Sequence, residues 1–115
     1  ASADHTPPSV QLEAVASPIR DGQATLNWTA SDSVVGLDHF VLRLKLNYED
    51  FQILDDSIPG SERTYSVSVE DGNLMVFEII AKDRSGNAAS QRISVYTQGY
   101  EFPYGFIFPI FLNEE

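Results

Sequence analysis

The chain has 115 residues, with seventeen acidic and seven basic side chains and a formal net charge of -10. That length holds one domain around a single core, and the charge repels a phosphate backbone, which argues against nucleic acid as a partner. The absence of cysteine removes disulfides, thiolate nucleophiles and sulfur-ligated metal centres, while 43% hydrophobic residues without an apolar run of roughly eighteen indicate a folded domain with no membrane span in the chain.

Ala1-Ser2-Ala3-Asp4 carries neither the positive nor the apolar region of a leader, so any signal peptide is expected to have been removed or never to have been part of this sequence. Residues 1–8, ending in Asp4-His5-Thr6-Pro7-Pro8, read as a stiff extended lead-in, because consecutive prolines favour polyproline II. The first expected strand is 10–16, with Val10, Leu12 and Ala14 on one face, broken by Ser17-Pro18 and Asp21-Gly22. In 23–30, Ala24, Leu26, Trp28 and Ala30 alternate with polar residues, which places Trp28 in the core. Residues 38–46 alternate most cleanly, burying Phe40, Leu42, Leu44 and Leu46 while Val41, Arg43 and Lys45 face outward. A short edge segment, 51–54, precedes the turn signals Asp55-Asp56 and Pro59-Gly60. Tyr65, Val67 and Val69 point inward from 64–69, and Asp71-Gly72-Asn73 is a tight connection to the next strand. Residues 74–83 bury Met75, Phe77, Ile79 and Ala81 but also show Val76 and Ile80 on the other face, so this strand is central or covered. After the turn Asp83-Arg84-Ser85-Gly86-Asn87, residues 91–97 close a sheet. Seven antiparallel strands over residues 9–98 make an all-β sandwich, followed by an extended segment over 99–115.

The succession Leu26-Asn-Trp28-Thr-Ala-Ser-Asp32, Gly36-Leu-Asp-His-Phe40-Val-Leu42 and Phe77-Glu-Ile-Ile-Ala-Lys-Asp83-Arg-Ser-Gly86-Asn87, following Asp4-His-Thr-Pro-Pro-Ser-Val10, resembles bacterial and archaeal extracellular immunoglobulin-like or fibronectin type III-like repeats over residues 4–97. The resemblance implies a sandwich module of secreted enzymes, adhesins and surface-layer proteins, used as spacer or attachment unit, and it implies no reaction. Secretion or cell-surface display is the expected location. The segment 42–54 and the tail after Gln98 lie outside the family pattern.

Catalytic chemistry has little to work with. His5 and His39 are the two imidazoles, no Gly-x-Ser-x-Gly elbow occurs, and Glu49-Asp50 or Asp55-Asp56 are sequence neighbours whose side chains diverge. The expectation is a non-enzyme without an obligatory cofactor. Calcium is the one metal with candidate ligands: in such a sandwich Asp32, Asp38, Asp83 and Asn87 come from loops at one end, and calcium takes oxygen donors from several loops. The competing reading is that these residues cap turns through side-chain to backbone hydrogen bonds. Asn27-Trp28-Thr29 is an N-glycosylation sequon with Asn27 facing outward.

The tail is the strongest functional signal. Every even position from 100 to 112 is aromatic or aliphatic: Tyr100, Phe102, Tyr104, Phe106, Phe108, Ile110 and Leu112. Period two means an extended segment, whereas Pro103 and Pro109 forbid a regular central strand because each lacks a ladder donor. Such a stripe is costly to leave in water; Val76 and Ile80 offer an apolar landing site whether the segment joins another copy or domain or folds back onto its own sandwich, and a stripe preceding a membrane segment is the third reading. The leading expectation is therefore a structural or assembly module whose partners are other copies or neighbouring domains of a surface protein. The alternative is a carbohydrate-binding or adhesive accessory module, against which the loops offer few aromatics beyond Tyr48 and Phe51.

Overall fold

The computed structural model describes residues 6–32 and 36–102. Among them are seven strands and no helix: β1 (Ser9–Leu12), β2 (Gln23–Ser31), β3 (Leu37–Leu46), β4 (Gln52–Pro59), β5 (Thr64–Ser68), β6 (Leu74–Asp83) and β7 (Ala88–Tyr96). They form two antiparallel sheets, one ordered β1-β2-β5 and one ordered β4-β3-β6-β7, whose inner faces pack together. The fold is an all-β, seven-stranded sandwich.

Period-two alternation produces it. Ala24, Leu26 and Trp28 on β2 are buried while Gln23, Thr25, Asn27 and Thr29 between them are exposed. From the opposite sheet, β3 contributes Phe40 and Leu42, and β6 contributes Met75, Phe77, Ile79 and Ala81. The Trp28 and Phe40 rings meet edge-on at a centroid distance of 5.4 Å across the core. Each large apolar side chain so buried contributes roughly 1.5–3 kcal/mol. The Trp28 indole N–H is buried with no hydrogen-bond partner among the described residues.

Several boundaries differ from the sequence expectation for local reasons. β1 stops at Leu12 and Ala14 is exposed, because the chain then crosses between the sheets. Past the cis Ser17-Pro18 peptide, Ile19 donates its N–H to the Tyr96 carbonyl at 2.9 Å and pairs in parallel with Thr97, burying its side chain in the core. β4 runs through the Asp55-Asp56 pair instead of ending there. The Asp55 carboxylate accepts the Ser57 N–H at 2.9 Å, and register shifts opposite Phe40–Arg43 absorb the irregularity as a bulge. β7 begins at Ala88, opposite Lys82, and not at Gln91. Tyr65, Val67 and Val69 point inward but are only half-buried, since β5 is an edge strand. Leu44 and Leu46 are half-buried as well.

A side-chain hydrogen bond joins the two sheets at the margin of β4 and β5. Tyr65 on β5 donates its hydroxyl to Asp55 on β4 at 3.2 Å. Burial, then the charge and hydrogen bond of Asp55, raise the Tyr65 pKa above its ordinary value. Between these strands Gly60 allows close approach, since a Cβ there would lie 2.9 Å from the Leu37 carbonyl oxygen.

Candidate functional site

The outer face of the four-stranded sheet differs from an ordinary solvated face. Val41, expected to face water, is only 8% exposed. It is paired with Ile80 on β6, and Ile80 and Val76 are themselves half-buried. One row further along, three charged residues stand directly opposite one another on adjacent strands: Arg43 on β3, Glu78 on β6 and Arg92 on β7. Arg43 Nε donates to Glu78 Oε1 at 2.6 Å and Arg92 Nε donates to Oε2 at 2.9 Å. Phe51, at the start of the β4 segment, receives both guanidinium groups, their Cζ atoms lying 4.5 and 4.7 Å from the ring centroid.

This cap leaves Glu78 only 4% exposed although it points away from the sandwich core. Burial pushes its pKa up, but the hydrogen bonds from Arg92 and Arg43, followed by their charges, prevail and hold it below the ordinary glutamate value. Beside the row lies a shallow groove of about 330 Å³ lined by Arg43, Glu78, Ile80 and residues 88–90. Sequence reasoning placed Arg43 outside and left Phe51 as an edge residue. Only the register reveals that Arg43, Glu78 and Arg92 share one row.

At the far end of the same face the tail begins. After β7, Tyr100 N–H donates to the Thr97 carbonyl at 3.2 Å, with Gly99 at a φ of 86° between them. A positive φ at the third position of a four-residue turn is the requirement of a type II turn. Tyr96, Tyr100 and Phe102 then gather into one cluster, with ring centroids 4.9 to 6.3 Å apart. Burial first, and then the hydrogen bond and charge of Tyr48, raise the Tyr100 pKa. Tyr48 itself, in the connection after β3, is 77% exposed. Thr97 anchors the turn from inside, its hydroxyl donating to the Glu70 carbonyl at 2.8 Å and accepting the Asn73 N–H at 2.9 Å.

Of the other sequence-predicted residues, Tyr104, Phe106, Phe108, Ile110 and Leu112 lie outside the described residues. Asp32, Asp83 and Asn87 come together at the opposite end of the sandwich, but as turn caps. Asp83 Oδ1 accepts the Ser85 and Asn87 N–H groups at 2.9 and 2.8 Å, and Oδ2 accepts the Asn87 side-chain amide at 3.0 Å. Burial raises the Asp83 pKa, while the hydrogen bonds of Asn87, Asp32 and Ser85 outweigh it and bring the value below the ordinary one. Both carboxylate oxygens of Asp83 thus accept hydrogen bonds within the turn. Asp38 is exposed, and its carboxylate lies 2.6 Å from Nδ1 of His39. Among the described residues no three of His, Cys, Asp and Glu converge as a metal site. Asn27 is exposed on β2, the middle strand of its sheet, opposite Thr64.

No protein-family model matches the chain, and no curated protein matches it. Fold and geometry alone define its class, an all-β sandwich with one polar and one partly buried outer face.

Proposed function

We propose that the chain is a non-catalytic structural or assembly module of a secreted or cell-surface protein. In this reading the C-terminal aromatic segment mediates strand-type association with another subunit or neighbouring domain. The observation that carries it is the stripe of alternate apolar side chains from Tyr100 to Leu112, whose first members, Tyr100 and Phe102, form a cluster with Tyr96 at the end of β7. Extended segments with alternate anchors are a recurring means of protein association. A sandwich of the immunoglobulin or fibronectin type III kind supports the reading as scaffold. In the constant-type immunoglobulin order the fourth strand lies beside the fifth. Here β4 lies beside β3, which supports the fibronectin-like member of the pair.

Light scattering of the full chain over a range of concentrations tests the proposal. The apparent mass should rise with concentration, and Phe106→Asp/Phe108→Asp/Ile110→Asp should hold it at a single chain. Equal masses for the two proteins at every concentration would contradict association through this segment.

A further inference from the structure

We infer that in the free chain residues 103–112 cover the outer face of the chain's own β4-β3-β6-β7 sheet. The inference rests on the proposed role of the tail as the associating element, and it adds that association must proceed by exchange from this closed arrangement.

Four observations converge. The first is direction: the hydrogen-bonded turn Thr97–Tyr100, with Gly99 at φ 86°, reverses the chain after β7, and Phe102 accordingly returns to the Tyr96 ring at 5.1 Å. Tyr96 alternates with the inward-facing Val95, so this return is made on the outer side.

Charge is the second. The segment 103–112 is itself uncharged, and the residues flanking it, Glu101 on one side and Glu114 and Glu115 on the other, are acidic with no basic residue among them. Arg43, Lys45, Lys82 and Arg92 stand on the outer face, four of the chain's seven basic residues, and the carboxylate among them is neutralised in its own row. In a protein of net charge -10 this is the face a segment flanked by acidic residues approaches most easily.

Third, the face supplies apolar surface where the other does not. Val41, Val76 and Ile80 lie on it and Ile53 at its margin is 61% exposed, whereas the outer side of β1-β2-β5 offers serine, threonine, glutamine and asparagine. Reach is the fourth. From Leu74 to Lys82 the face extends about 27 Å at ~3.4 Å per residue, and ten extended residues span about 33 Å. A segment lying across a face also has no need of the ladder donors that Pro103 and Pro109 lack.

Exchange follows from the same contacts. A tail released from its own sheet meets an identical surface on a second copy, so the open and closed forms differ little in contact energy, as in domain swapping.

The test uses the full chain carrying p-benzoylphenylalanine in place of Phe106, irradiated at a dilution where light scattering gives the mass of a single chain, as an equal mixture of ¹⁴N- and ¹⁵N-labelled protein. Same-label cross-links to residues 41–45, 76–82 and 90–94 are expected, and Lys45→Glu/Lys82→Glu should lower their yield about fivefold, the scale of two exposed ion pairs. Links to β1, β2 or β5, mixed-label links in the majority, no links at all, or a yield untouched by the double variant would each overturn the inference. If same-label links form on this face while the mass never rises with concentration, the association reading fails and the docking surface stands. If the mass rises but the links avoid this face, the reverse holds.

Discussion

The two outer faces of the sandwich solve opposite problems. On the β1-β2-β5 side, Thr25, Asn27 and Thr29 of β2 and Thr64, Ser66 and Ser68 of β5 are all exposed, short and uncharged. That face is finished in water. On the β4-β3-β6-β7 side a carboxylate is buried beneath two arginines and a phenylalanine, Val41 is buried and Val76 half-buried, and the aromatic start of the tail clusters with Tyr96. Both sheets share one core, so the inner packing cannot explain the difference. The burial of Glu78 comes from Arg43, Arg92 and Phe51 across neighbouring strands, a cover the other face does not build.

Variants should separate the shared core from the two faces, and the core comes first. Trp28→Ala should lower unfolding free energy by about 3–5 kcal/mol in denaturant titration, whichever face is considered. Trp28→Phe should cost much less, because the buried indole N–H has no partner to lose. Native tryptophan emission should be blue-shifted, and emission at the wavelength of free tryptophan would contradict the burial of Trp28.

Next is the comparison itself. Glu78→Ala leaves Arg43 and Arg92 without their shared acceptor and should cost about 1–3 kcal/mol, while Thr29→Ala on the polar face should stay within about 0.5 kcal/mol. Equal effects would erase the distinction between the faces. The sign with pH is fixed as well. Glu78 has a folded pKa below its unfolded one, so its stabilisation is fully present above the unfolded pKa of roughly 4.3 and is lost as pH falls through the folded value. Wild type and Glu78→Ala should therefore converge in melting temperature toward acid, and a gap that widens toward acid would refute the assignment.

A smaller effect belongs to the seam between the sheets. Tyr65→Phe removes the hydrogen bond to Asp55 and should cost about 0.5–1.5 kcal/mol. The Tyr65 pKa is raised by folding, so this contribution is present below roughly pH 10, the unfolded value, and is lost as pH rises through the folded value. Melting temperatures of the two proteins should converge in strong alkali. A constant difference across that range would show that the bond is not made.

The core was legible because alternation is a local property. Trp28, Phe40, Phe77 and Ile79 could be assigned inward from their own strands alone. Departures arose where tertiary contacts overrode local signals. Asp55-Asp56 has the composition of a turn but is taken up in a bulge, because β3 offers a partner on the far side of it. Ala14 has the right parity for burial but lies beyond the point where the chain leaves its sheet to place Ile19. The Arg43–Glu78–Arg92 row was hidden for a third reason. Its neighbouring members are 35 and 14 residues apart, and they align only once β3, β6 and β7 are set in register. The turn at Gln98-Gly99 was not read from the sequence, and its orientation depends on Thr97 being held from within by Glu70 and Asn73.

The most direct measurement compares amide ¹H–¹⁵N shifts of the full chain with those of Phe106→Asp/Phe108→Asp. If the four-stranded face is the surface the tail covers, the changes should fall on residues 41–45, 76–82 and 90–96 and leave β1, β2 and β5 unmoved. Changes restricted to the tail itself, or centred on β1, β2 and β5, would contradict the account.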